Sequence, residues 1–125
     1  MNVLVADDDG LVAHQTGRVL RRLGHTVVGT AETGRAAVAM AEQLRPELAV
    51  LDIMMPEMDG VEAARRILIA LDIPIVLITG FASPTLPKRA EAAGVFTLVA
   101  KPASEGKLAS AIAAALLRFQ ARRAE

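Results

Sequence analysis

The chain has 125 residues, 53% of them hydrophobic and 22% charged, which is ample for one continuous core at a near-modal domain length. Fourteen basic and fourteen acidic residues cancel, so no global field favours nucleic acid or an anionic membrane, and binding is expected to be local. The absence of cysteine excludes disulfides, thiolate metal sites and thiol catalysis, and no apolar run approaches the roughly 20 residues of a membrane helix.

Short β-branched runs alternate with segments of helical period, the pattern of βαβ units around a parallel sheet. Asn2-Val3-Leu4-Val5-Ala6 reads as a first strand leading straight into Asp7, Asp8 and Asp9, without a signal-peptide cleavage site. Leu11, Val12, Val19, Leu20 and Leu23 recur at helical spacing and Gly24 closes that helix, placing it at about residues 10–23. Residues 26–30 form a less apolar strand suited to an edge, and Ala36 to Leu44 a helix halted before Pro46. Leu48-Ala49-Val50-Leu51 is a strand with both faces covered, ending in Asp52. Gly60 starts a helix through Val61, Ala64, Ile67 and Leu68; Pro74 opens the fourth strand, which ends in Thr79. Residues 84–93 make a short helix closed by Gly94, with Ser83 as its cap and Pro84 first. Pro87 is less comfortable there, so this helix is expected to start late or to move. A fifth strand, Phe96 to Ala100, leads to Lys101-Pro102. Ser104 then caps a last helix whose stripe of Leu108, Ile112, Ala115, Leu116 and Phe119 is core packing.

Four apolar runs thus end in reactive residue types, and open parallel sheets bind ligands beyond the carboxyl ends of their strands. An acidic pair, Asp52, Thr79 and Lys101-Pro102, in that order and joined by the turn Met55-Pro56-Glu57-Met58-Asp59-Gly60, resembles the receiver domain of two-component response regulators over almost the whole chain. The resemblance implies an α/β, flavodoxin-like fold with five parallel strands in order 2-1-3-4-5, helices on both faces, and a single receiver domain over residues 1–125. It also implies that Asp52 accepts a phosphoryl group from a phosphohistidine kinase or phosphotransfer protein. Asp8, Asp52 and the Met54 backbone carbonyl would hold Mg²⁺, with Asp7 orienting a metal-bound water; Thr79 and Lys101 would contact phosphoryl oxygens. The chemistry agrees: clustered carboxylates repel unless a cation intervenes, and oxygen-only ligands suit a hard ion. Asp9 has no such role and is expected to cap the first helix. Asp59-Gly60 reads as turn chemistry, and His14 and His25 as surface residues without metal spacing.

The chain departs from the family at Leu98, three residues before Lys101, where receivers commonly carry Tyr or Phe; leucine puts the aromatic coupling of phosphorylation to output in doubt. Phe96 lies on the same strand face but at another level. Thr79 to Pro87 is expected to be the moving segment. Met54 and Phe81, large and apolar, would flank the path of a hydrolytic water, so self-dephosphorylation is expected to be slow. Output is expected through protein contacts, with a homodimer left open, since no second domain follows Glu125; Arg118, Arg122 and Arg123 read as a solvated helix end rather than a DNA-binding patch. The expected location is cytoplasmic. Two rivals differ in kind. Asp7-x-Asp9 resembles the nucleophile motif of haloacid-dehalogenase-like phosphohydrolases but leaves Asp52 unexplained. A pseudo-receiver would bind partners without phosphorylation. Residues 73–102 also look similar to receivers attached to RNA-binding antitermination helices.

Overall fold

The alternation of β-branched runs with helical-period segments produces ten elements in this computed structural model, which describes residues 1–81 and 83–124. They are β1 (Asn2–Ala6), α1 (Gly10–Arg22), β2 (Thr26–Ala31), α2 (Gly34–Leu44), β3 (Leu48–Asp52), α3 (Gly60–Ala70), β4 (Ile75–Thr79), α4 (Leu86–Ala92), β5 (Thr97–Ala100) and α5 (Glu105–Arg123). Ala82, within the segment expected to move, lies outside the described residues.

All strands are parallel, in the order β2-β1-β3-β4-β5, so the expected doubly wound order holds. Period-two alternation divides the sheet residues between two cores. Leu4, Ala6, Ala49, Leu51, Ile75 and Leu77 face α2, α3 and α4, while Val3, Val5, Val50, Val76, Ile78 and Val99 face α1 and α5. β3 is buried along its whole length, as a central strand covered on both sides must be, and the less apolar β2 occupies an edge.

Local signals set most boundaries. The Asp9 carboxylate accepts from the Leu11 and Val12 amides and caps α1, Thr33 caps α2, and Ser104 caps α5. Gly24 adopts φ +93°, which a side chain would resist.

Three expectations need correction. α4 begins at Leu86 rather than residue 84, and neither Ser83 nor Thr85 gives it a side-chain cap. Starting there puts Pro87 within the first turn, where its missing N–H costs nothing, so the anticipated late start is what the chain adopts. His25 is half-buried, its Nδ1 lying 3.2 Å from the Met1 amino group, and burial together with that ammonium lowers its pKa. Along α5 the buried stripe is Leu108, Ala111, Ile112 and Ala115; Leu116 and Phe119 are only partly covered.

Candidate functional site

Parallel strands bring their carboxyl ends to one pole, and register aligns them: Ala6 pairs with Leu51, Asp52 with Ile78, and Thr79 with Ala100. Carboxylate oxygens of Asp7, Asp8 and Asp52 all lie within 4.8 Å of one another. Asp7 and Asp52 are buried at 4% and 2% exposure, whereas Asp8 is exposed. The Lys101 ammonium reaches in from the end of β5, 3.2 Å from Asp52 Oδ1 and 3.4 Å from Asp7 Oδ2.

One ammonium does not balance three carboxylates. Burial, followed by repulsion from Asp7, raises the Asp52 pKa above the ordinary carboxylate value despite the opposing pull of Lys101. Burial alone would lower the Lys101 pKa, but Asp52 and Asp7 outweigh it and hold that ammonium above the usual lysine value. Buried Asp52 Oδ1 makes no regular hydrogen bond among the described residues, and what reaches it is the Lys101 ammonium at 3.2 Å. One ammonium shared between two buried carboxylates leaves much of their desolvation cost uncompensated. Three crowded carboxylates served by one ammonium, with no histidine or cysteine in the cluster, fit a hard divalent ion such as Mg²⁺. The Met54 carbonyl accepts no hydrogen bond from the described residues and remains free as a further ligand.

The loop from Ile53 to Gly60 is held by short-range bonds. Met55 N–H donates to the Ile53 carbonyl (3.1 Å), and Met58 N–H to the Pro56 carbonyl (2.8 Å) across Glu57, whose φ is +68°. A γ-turn of positive φ is rare and strained. Gly60 closes the loop: a Cβ there would stand 2.2 Å from the Asp52 carbonyl oxygen, so only glycine lets α3 start against the end of β3.

Thr79 stands beside the cluster on β4, but its hydroxyl donates to the Phe81 carbonyl (2.7 Å) and accepts from the Phe81 amide (3.0 Å). Asp9 is occupied in capping α1 and lies outside the acidic group, which removes the second carboxylate that the phosphohydrolase reading needs. Met54 and Phe81 are exposed, at 60% and 71%. Leu98 is partly buried against the α3–α4 side of the core, and the Lys101–Pro102 peptide is cis.

Sequence reasoning missed Arg89. Asp59, taken as a turn residue, caps α3 through Oδ1 (2.9 Å from Glu62 N) and pairs through Oδ2 with Arg89 of α4, also at 2.9 Å. The capping half was legible, because Asp59 precedes Gly60 and stands three residues before Glu62; the pairing spans 30 positions and left no local signal. Arg118 likewise does not simply face solvent, since it lies 3.9 Å over the ring of Phe96.

Comparison with known proteins places this geometry. The family profile of the response regulator receiver domain matches residues 3–113. The transcriptional regulatory protein PdtaR of Mycobacterium tuberculosis is 38% identical over 118 residues, covering 94% of this chain and 58% of PdtaR. A protein-glutamate methylesterase/protein-glutamine glutaminase of Archaeoglobus fulgidus is 38% identical over 104 residues, covering 82% of this chain and 30% of the esterase. The chain therefore spans less than two thirds of the length of either relative. Among solved structures, the signal receiver domain of a modulated diguanylate cyclase from Desulfovibrio desulfuricans superposes with a TM-score of 0.87 at 33% identity, covering 97% of both chains. CheY in the CheX-CheY-BeF3-Mg complex of Borrelia burgdorferi superposes at 0.84 with 25% identity, covering 90% of this chain and 86% of that one. With five parallel strands in the order 2-1-3-4-5, an acidic cluster at their carboxyl ends and a profile match over most of its length, the chain belongs to the response regulator receiver domain family of two-component systems.

Proposed function

We propose that this receiver accepts a phosphoryl group on Asp52 from a phosphohistidine of a sensor kinase or phosphotransfer protein, in a Mg²⁺-dependent reaction that switches protein contacts. The observation that carries the reading is the buried Asp52 carboxylate crowded by Asp7 and Asp8, with the single Lys101 ammonium against it. A structural salt bridge has no use for two surplus carboxylates; a nucleophile beside a metal site does.

An Asp52 oxygen attacks phosphorus, the donor's phosphorus–nitrogen bond breaks, and the imidazole leaves with the electron pair and takes up a proton. Asp8, Asp52 and the Met54 carbonyl would hold Mg²⁺, and Asp7 would orient its water. When bound, the ion neutralises charge on the carboxylates and the incoming phosphoryl oxygens. Lys101 stays charged and offers a preorganised donor to one phosphoryl oxygen. Thr79 must exchange its bond to the Phe81 carbonyl for one to another oxygen, at a net cost of about 0.5–1.5 kcal/mol if the new bond fails to form. That exchange frees the Phe81 carbonyl, a local change able to bias a two-state element. Leu98 leaves no aromatic ring to follow the hydroxyl, so the backbone between Thr79 and α4 carries the response. Residues 1–125 act as one receiver domain, in the cytoplasm.

Intact mass after incubation with Mg²⁺ and acetyl phosphate tests this. Wild type should gain one phosphoryl group, about 80 Da by its chemistry; Asp52→Asn, and wild type in chelator, should gain none. Met54 and Phe81, exposed and two residues beyond Asp52 and Thr79, would flank the path of a hydrolytic water, so the adduct should decay slowly. Absence of an adduct with both acetyl phosphate and a kinase-borne phosphohistidine would refute the function, and decay within seconds would refute the slow hydrolysis.

A further inference from the structure

At the other end of the sheet, where β4 and β5 begin, α3, α5 and the Gly94–Phe96 turn line a half-open cavity of about 340 Å³. β4 has five residues, so this cavity lies about 17 Å of strand away from the carboxylates. We propose that it is a second ligand site, taking a small anion carried on a flat apolar ring, such as an aryl or heteroaryl carboxylate. The proposal is independent of phosphorylation at Asp52.

Size, shape and charge each narrow the ligand. The volume sits at the low end of the roughly 300–1,000 Å³ typical of small-molecule sites, which suits one or two rings. Leu68, Ile73, Pro74 and Phe119 make apolar walls. Gly94 holds the turn open at φ +94°, and a Cβ there would come within 3.0 Å of Leu68 Cδ1. The charged lining residues are Arg118 and Arg122, both cationic, in a chain whose net charge is zero.

The two arginines are held differently. Arg122 pairs with Asp72 and leans over Phe119 at 5.5 Å. Arg118 has no carboxylate partner among the described residues, and its Cζ lies over the Phe96 ring, 3.9 Å from the centroid. Compensation of the α5 dipole accounts for cations in its last turn, but Arg118 sits five residues before the helix end at Arg123. A guanidinium stacked on one ring keeps its edge donors for a carboxylate and its second face for another ring. The Phe96–Arg118 pair is thus a ledge with the two contacts that a planar anion needs, opening into a cavity of mixed lining and matching size with apolar walls at Leu68, Ile73 and Pro74.

The test is an amide NMR titration with 1-naphthoate, with naphthalene-1-methanol as the same body without charge and acetate as the same charge without the body. Naphthoate should shift the Gly94, Thr97 and Ala121 amides saturably, with Kd on the order of 1 mM or tighter, and the two controls should bind at least about tenfold more weakly. Arg118→Gln should weaken naphthoate about tenfold while retaining wild-type spectral dispersion. Phe96→Leu, which removes the ledge but keeps the charge, should weaken it as well. Equal affinity for the alcohol would reduce the cavity to an apolar crevice, and equal affinity for acetate would leave an adventitious ion only. Either result overturns the proposal, as would shifts confined to the Asp52 pole, failure to saturate, or unchanged affinity in both variants.

Discussion

Gly10 and Gly60 each open a helix, yet a methyl group should act on them in opposite directions. On Gly60 a Cβ would stand 2.2 Å from the Asp52 carbonyl oxygen and 2.9 Å from both the Asp52 carbonyl carbon and Ile53 Cα, all of them backbone. Restoring an ordinary carbon–oxygen contact of about 3.3 Å requires the first turn of α3 to retreat by roughly 1 Å. That retreat breaks the 2.8 Å bond from Gly60 N–H to the Ile53 carbonyl, and an unsatisfied buried donor costs about 1–3 kcal/mol. The gap also forfeits a quarter to a half of the contacts beneath Val61 and Ala64, about 1 kcal/mol. Alanine's helix propensity returns about 1 kcal/mol, leaving Gly60→Ala about 1–3 kcal/mol less stable than wild type. At Gly10 nothing lies within 4 Å of the added carbon, so Gly10→Ala should be neutral or more stable by up to about 1 kcal/mol. Urea unfolding of the two variants, compared at equal m-value, measures the steric term directly because the propensity term is common to both. Agreement between them to within about 0.5 kcal/mol would refute the close approach of α3 to the end of β3.

Three further outcomes can be checked on purified protein. In chelator, Asp52→Asn should be more stable than wild type at neutral pH: a raised pKa means that the folded state holds its proton longer than the unfolded one. Wild-type stability therefore falls as pH rises from the ordinary value near 3.8 through the folded value. The advantage of Asp52→Asn should vanish below that ordinary value, and urea midpoints that do not converge at low pH would contradict the assignment. Mg²⁺ should raise the wild-type melting temperature in a concentration-dependent way and act far less on Asp52→Asn; equal shifts in a thermal melt would place the ion elsewhere. Asp59→Ala loses the α3 cap and should cost about 0.5–2 kcal/mol, whereas Asp59→Asn keeps the cap and loses only the half-exposed Arg89 pair, worth at most about 1 kcal/mol. Equal denaturation midpoints for the two would show that Arg89 rather than the cap is what Asp59 serves.

Much of the fold was legible because its signals are local. The period-two and helical runs located all ten elements, Asp9 and Ser104 announced their caps, and Gly24 marked a positive-φ helix end. The cluster was legible for a related reason. Once each reactive residue lies at a strand end and the strands run parallel, topology alone carries them to one pole. The strand order itself came from the resemblance and not from periodicity. α4 was misplaced by two residues because proline chemistry allowed two starts, Pro84 at the first position or Pro87 within the first turn, and the chain takes the second.

What the sequence by itself determined is therefore the set of elements and the chemical identity of the strand ends, both written in interactions that span a few residues. Only the tertiary structure decided how side chains meet across elements: Lys101 between Asp7 and Asp52, Asp59 with Arg89, Thr79 turned onto Phe81, and Arg118 laid over Phe96. Those meetings depend on the crossing of helices over the sheet and on rotamers chosen by packing. Separations of 30 residues from Asp59 to Arg89, and 49 or more from Lys101 to its carboxylates, leave no periodic trace along the chain.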